Sequence, residues 1–177
     1  MIVLEIGHSK ASKGAHNKTF NISEFTFNEE LVIDISDKLN NLNIQNSIVY
    51  RTNYSDLPNQ INQLNPKFVI SFHCNAFNTK ASGTEMLYYH SSKNGKLMAS
   101  IFQKNIVDAL KLPDRGIKPK HTEDRGGYIL KYTDAPCIIS EPFFIDNDDD
   151  YQLIMDLYPE FLDANVKSIL EINKKIK

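Results

Sequence analysis

Two histidines and a few glutamates carry the most distinctive chemistry available to this chain. His8 follows Gly7 just after the apolar run Ile2–Ile6, and His73 stands directly after Phe68–Phe72. Both runs read as strands. In open α/β sheets ligands bind beyond the carboxyl ends of parallel strands, so two imidazoles placed there can converge from distant parts of the sequence. Either histidine alone is most simply a polar residue capping a strand end, whereas the pair suits a metal ion. A catalytic zinc site takes three protein ligands and keeps one position open, and two imidazoles with one carboxylate are a common set. Glu24, Glu29 and Glu30 lie on one predicted helix and compete for the third place; spacing alone does not choose among them. Glu24 follows Ser23, a suitable N-cap, so it also fits the plainer role of a first-turn glutamate favoured by the helix dipole.

Glu141 is the fourth acidic candidate. It follows the apolar stretch Cys137-Ile138-Ile139 and precedes Pro142-Phe143-Phe144, so its carboxyl should be partly desolvated. Desolvation raises a carboxyl pKa toward the range useful for proton transfer. A strand-end glutamate paired with a lysine or arginine explains the same pattern equally well.

These residues need a scaffold, and the sequence supplies one by alternating short apolar runs with longer amphipathic segments. Strands are expected at Ile2–Ile6, Ser47–Tyr50, Phe68–Phe72, Thr84–Tyr89, Tyr128–Lys131 and Cys137–Ser140. Phe27, Leu31, Ile35, Leu39 and Leu42 recur at helical spacing, as do Leu97, Ile101, Phe102, Ile106 and Leu110. A last helix opens with Pro159, presents Leu162, Val166, Ile169 and Leu170 as its apolar stripe, and ends on Lys174, Lys175 and Lys177. The pattern predicts an α/β fold: a central mixed, largely parallel sheet flanked by helices. With 177 residues at 41% apolar content, one domain spanning the chain is expected.

Leu112–Gly127, with two prolines and three glycines, reads as the longest irregular stretch and as part of a binding site. The acidic run Asp146–Asp150 reads as a solvated helix start more readily than as a calcium loop. His16, His90 and His121 are expected at the surface or rim. Arg115 and Arg125 could grip a carboxylate through a bidentate fork. A net charge of −2 with scattered lysines provides no field for nucleic acid. Cys74 and Cys137 sit in apolar stretches and imply no disulfide framework. No stretch is apolar for long enough to span a bilayer, and the first residues lack the marks of a secretory signal.

Several of these residues recur together as ordered motifs: Gly7-His8, Gly14-Ala15, Glu24 with Asn28, Ser71-Phe72-His73-Cys74-Asn75-Ala76 and Gly83-Thr84-Glu85. Arg115-Gly116, Ala135-Pro136 and Ser140-Glu141-Pro142-Phe143-Phe144-Ile145-Asp146-Asn147 follow. In this order they resemble the zinc-dependent N-acetylmuramoyl-L-alanine amidases of the amidase-3 type, and the likeness covers nearly the whole chain. The resemblance implies one zinc ion (Zn2+) per chain, held by His8, Glu24 and His73, with Glu141 as general acid and base. Asn28 fixes the register that selects Glu24. Cys74 and Pro142 depart from the family pattern without removing a ligand.

What the resemblance implies about substrate is peptidoglycan, cut at the amide between N-acetylmuramic acid and L-alanine. A zinc peptidase acting inside the stem peptide and a silent wall-binding module of the same fold are the alternatives. Arg115 and Asn75 become candidate substrate contacts, although Asn75 and Glu85 could simply brace the His73 strand. Without a signal, synthesis in the cytoplasm and release onto the cell wall at lysis, as for a phage endolysin, are expected.

Overall fold

Every position of strand β1 (Ile2–Ile6) is buried, which happens when helices cover both faces of a sheet. The computed structural model describes residues 1–176; Lys177, assigned above to the end of the last helix, lies outside them. After β1 come a small hairpin of β2 (His16–Asn17) and β3 (Ile22–Ser23), helix α1 (Glu24–Asn41), β4 (Asn46–Tyr50), α2 (Leu57–Asn62) and β5 (Phe68–Phe72). Then follow β6 (Thr84–Tyr89), α3 (Lys93–Leu110), β7 (Asp114–Lys120), α4 (Gly127–Tyr132), β8 (Cys137–Glu141), α5 (Asp148–Asp156) and α6 (Tyr158–Lys175). Six strands form one sheet in the order β4-β1-β5-β8-β6-β7, parallel throughout except where β6 meets β8. This is the single α/β domain with a mostly parallel mixed sheet that the sequence predicts.

Alternation along the strands divides the core into two layers. Ile2, Leu4, Ile6, Phe68, Ile70, Phe72, Met86 and Ile138 face α1, α3, α5 and α6. Val3, Val49, Val69, Leu87, Cys137 and Ile139 face the short helices, meeting Leu57 and Ile61 of α2 and Ile129 and Leu130 of α4. Continuing the same alternation, this second face becomes polar beyond the short helices. Glu5 stands beside Ser71, and Glu141 stands beside Glu85, in adjacent strands. These polar residues therefore sit where the apolar cover stops.

The long helices begin where the sequence says they should, although Leu42, expected in the stripe of α1, is its exposed C-cap. Ser23 caps α1 by accepting from Thr26 N–H at 3.2 Å, and Phe27, Leu31, Ile35 and Leu39 are buried beneath it. Ser92 caps α3 in the same way, with Met98, not the part-exposed Leu97, joining Ile101, Phe102 and Ile106 inside. Asn147 caps α5, and Asp148, Asp149 and Asp150 occupy its first turn, as the helix dipole favours, but Asp150 is buried rather than solvated, accepting from Phe144 N–H and Ser82 Oγ. Pro159 lies in the first turn of α6. Both cysteines are free and buried. No helix among the described residues is long and apolar enough to cross a membrane.

Two assignments need correction. Tyr128–Lys131 is not a strand but lies in helix α4, which seals the second face with Ile129 and Leu130. A short apolar run fits a strand or a buried helix turn equally well. Leu112–Gly127 is not irregular throughout, because Asp114–Lys120 forms β7. As an edge strand paired only with β6, it needs no continuous apolar face and tolerates Pro119. The register slips between Thr84 and Glu85, and Gly116 takes φ +76 there.

Phe161 of α6 is fully buried and stacks with Phe27 of α1 at a centroid distance of 6.5 Å. Phe161→Ala should cost about 3–5 kcal/mol, the usual range for deleting a core phenylalanine. Urea unfolding checks this as a lower midpoint at unchanged slope.

Candidate active site

Three side chains from three elements meet at the carboxyl end of the sheet. His8 follows β1, and the Gly7 N–H donates to Phe72 O at 2.9 Å, tying that segment to β5. His8 itself has φ +70, an uncommon backbone conformation for a side chain other than glycine. His73 extends β5, its N–H donating to Ser140 O. Glu24 opens α1 and is completely buried. Its Oε1 lies 2.8 Å from His73 Nδ1 and its Oε2 lies 3.0 Å from His8 Nε2. Two backbone donors fix the carboxylate: Cys74 N–H to Oε1 at 3.0 Å and Ala15 N–H to Oε2 at 3.1 Å. Asn28, one turn further along α1, donates to Glu24 O and contacts Cys74 Sγ, so helix and strand are held in register.

This cluster fits a cation better than it fits a closed set of hydrogen bonds. Its ligand atoms all lie within 4.8 Å of one another, and His8 Nε2 is buried without a hydrogen-bond partner despite its nearness to Glu24. The backbone leaves room for the group and little else. A Cβ on Gly14, whose φ is +75, would stand 2.5 Å from Glu24 Oε2 and 2.7 Å from His8 Nε2. A Cβ on Gly7 would stand 2.6 Å from His73 Nε2. Close approach thus explains both glycines, and at Gly14 the conformation does so as well.

Charge within the cluster is strongly biased. Burial opposes ionisation of Glu24, but its hydrogen bonds with His73 and His8 and their charge hold the carboxyl well below its usual range. Burial pulls the His73 pKa down; the Glu24 hydrogen bond and charge, with Glu141 and Glu5 adding, raise it to about 9.

Beside the cluster lies a cavity of about 530 Å³ bordered by His8, His73, Asn75 and Glu141. The pairing of β5 with β8 continues past both strands, since Asn75 N–H donates to Phe143 O and Ile145 N–H to Asn75 O. Main-chain bonds therefore fix His73 and Glu141 side by side. Glu141 is buried, and its Oε2 has no partner. Burial, opposed by His73 and Arg125 and reinforced by Glu24 and Glu85, lifts its pKa to about 7.

The sequence profile of the amidase-3 family, N-acetylmuramoyl-L-alanine amidase, matches residues 2–171. The chain belongs to this family. An uncharacterized cell wall amidase of Bacillus anthracis is 32% identical over 86 residues, which is 44% of this chain and 15% of that protein. The chain spans well under half the length of the curated relatives it matches. The N-acetylmuramoyl-L-alanine amidase of Clostridium difficile 630 shares the fold with a TM-score of 0.83 at 23% identity, covering 98% of this chain and 96% of that one. The catalytic domain of an endolysin targeting Clostridia difficile gives 0.81 at 22% identity, with 96% of each chain covered.

In this amidase-family chain the motifs converge as their order suggests. Among the three glutamates, Glu24 alone joins the histidines; Glu29 lies near Lys10 and Glu30 is exposed. Asn75 borders the cavity with an unpartnered Nδ2. Arg115 does not border it: its Nε donates to Glu85 Oε2 at 2.9 Å, and its guanidinium lies over the Phe144 ring. Arg125 does border it, together with Arg51, Tyr54 and Glu5, none of which the sequence reading singled out apart from Arg125. Their signal was absent because β4 and β1 have to be paired before Arg51 and Glu5 are seen to face one cleft. His16, His90 and His121 are exposed, the last two stacked at 4.1 Å.

Proposed function

We propose that this chain hydrolyses the amide between N-acetylmuramic acid and L-alanine of peptidoglycan, as a zinc enzyme with Glu141 moving the proton. The observation that carries this reading is that His8 and His73 of the cluster with Glu24 border one cavity with Glu141, whose carboxyl oxygen has no partner. Zinc would be held by His8 Nε2, Glu24 and His73 Nδ1, and when bound it supplies Lewis acidity and lowers the pKa of water to about 7.

The remaining work belongs to the protein. Glu141 Oε2 accepts a proton from the attacking water and delivers it to the departing L-alanine nitrogen, which leaves only as a neutral amine. A carboxyl whose pKa is about 7 can do both near neutrality. Cys74 N–H and Ala15 N–H keep Glu24 from turning away. Asn75 Nδ2, without a partner beside the cavity, would donate to a substrate carbonyl. Arg115 orders Glu85 at the cavity wall.

Digestion of purified sacculi followed by mass spectrometry tests the reading. Intact stem peptides with free L-alanine amino groups are expected. Peptides cut internally would mean a stem-peptide peptidase, and no release at all would mean a wall-binding module.

A further inference from the structure

We infer that Phe77 is a stacking platform for a sugar ring of the glycan strand, so that the chain holds the sugar arm of its substrate on a rim loop outside the cavity. The inference rests on the amidase reading above and assigns a residue to the half of the substrate that this reading leaves without one.

Phe77 is 79% exposed, well beyond the next large apolar side chain, Leu42 at 52%. Lone exposed hydrophobics are ordinary on soluble proteins. What sets this one apart is the loop beneath it. Phe77 N–H donates to both carboxylate oxygens of Asp146, at 3.2 and 3.1 Å, and Thr79 N–H donates to Asp146 Oδ2 at 2.9 Å. Asn147 Nδ2 donates to Ala81 O, and Ser82 Oγ donates to Asp150. With the bond from Ile145 N–H to Asn75 O, these stitch the loop along its length to the segment that follows β8. The acidic run thus fixes the backbone that presents the ring. A side chain displayed to water from a fixed backbone loses little freedom when a flat ligand settles on it.

Placement narrows the ligand. β6 runs antiparallel to β8, with Glu85 opposite Glu141, so the loop from β5 to β6 stays at the end of the sheet that carries His73 and Glu141. Asn75, two residues before Phe77, borders the cavity, whereas Phe77 does not. The scissile amide joins a peptide to a sugar, and when one arm enters the cavity the other has to cross its rim. An aromatic face is negative and favours the C–H face of a pyranose, whose edge carries hydroxyl and acetamido groups. Asn78, Thr79 and Lys80 are exposed beside Phe77 and provide hydrogen-bonding groups for that edge. A protein partner or a bilayer would need more apolar area. Among the described residues no other exposed large hydrophobic lies in 75–82 or in 145–150.

Titration of the full chain with N-acetylchitohexaose, a glycan without peptide, tests this by amide NMR and calorimetry in the absence of hydrolysis. The wild type should bind, with the amide signals of Phe77, Asn78 and Thr79 among those that shift. Phe77→Ala should weaken binding about 10-fold, the scale of a lost aromatic contact. Phe77→Trp should keep or tighten it, whereas Phe77→Leu, apolar but not flat, should lose as much as alanine. On sacculi the alanine variant should show a raised KM at unchanged kcat, as for a contact equally strong in ground and transition states. Thermal unfolding should be the same for all variants, because the side chain is exposed. No binding of the glycan, or an alanine variant that binds as the wild type does, would overturn the inference. A leucine variant as good as the wild type would do the same, since a plain apolar contact with a protein or a membrane needs no flat ring. Failure of the amidase reading is seen separately, as wild-type protein that binds the glycan but releases no stem peptides from sacculi.

Discussion

Glu141→Gln should lower turnover on sacculi by about 100- to 10,000-fold, the span typical of a lost general acid–base group, while zinc content and fold stay intact. The carboxamide keeps the size of the side chain but can neither take the water proton nor return it. The paired measurement is zinc stoichiometry and turnover on the same preparation. If Glu141 were a further metal ligand, the site would be closed, and the substitution would release zinc. If it were only an ion-pair partner, turnover would survive. Retained zinc together with retained hydrolysis would therefore reject the assignment. The pH profile provides a second readout. Burial first of all lifts Glu141 to about 7, so below that pH the carboxyl is protonated and cannot act as a base. Turnover should rise with pH up to a limb at or below 7, since a cation in the cluster adds to the lowering that His73 exerts. In the glutamine variant that limb should be absent.

Removing the proposed zinc should have an effect of comparable size. A strong chelator should abolish hydrolysis and added zinc should restore it; Lewis-acid assistance of several kcal/mol corresponds to a loss on the order of 1,000-fold. His8→Ala, Glu24→Ala and His73→Ala should each lower zinc occupancy, because each deletes one of the three proposed ligands. Glu24→Ala should be the most damaging, as it also strips the acceptor from Cys74 N–H and Ala15 N–H in a buried position. Glu29→Ala and Glu30→Ala should leave occupancy unchanged. Zinc uptake should also depend on pH in a definite sense. In the metal-free protein the Glu24 hydrogen bond and charge overcome the effect of burial and hold His73 protonated up to about 9. A ligating imidazole must be neutral, so zinc competes with that proton. The apparent Kd should fall about tenfold per pH unit as pH rises toward 9, and this dependence should disappear in His73→Ala.

How much of this was legible beforehand varies with the kind of signal involved. Strands β1, β5 and β8 announce themselves because burial on both faces demands mostly apolar runs, and α1 and α3 do so through four-residue spacing under a serine cap. The edge strand β7 was hidden because pairing on one side alone permits Pro119 and a polar composition. Helix α4 was hidden because six residues are too few to show a period. Among site residues, His8 and His73 could be located from the strand ends that precede them, and Glu141 from its apolar neighbours. The sequence by itself thus determined the fold class, the strand ends that carry the histidines and the family motifs. Spacing alone left Glu24, Glu29 and Glu30 open and the family register pointed to Glu24; the tertiary structure brings Glu24 to the histidines because the first turn of α1 lands against Ala15 and Cys74. It also decided that Arg115 is spent on Glu85 while Arg51, Arg125 and Glu5 face the cleft. The reason is physical: periodicity records which face of an element is buried, whereas a polar residue's role depends on the partners that pairing of distant strands brings within hydrogen-bond reach.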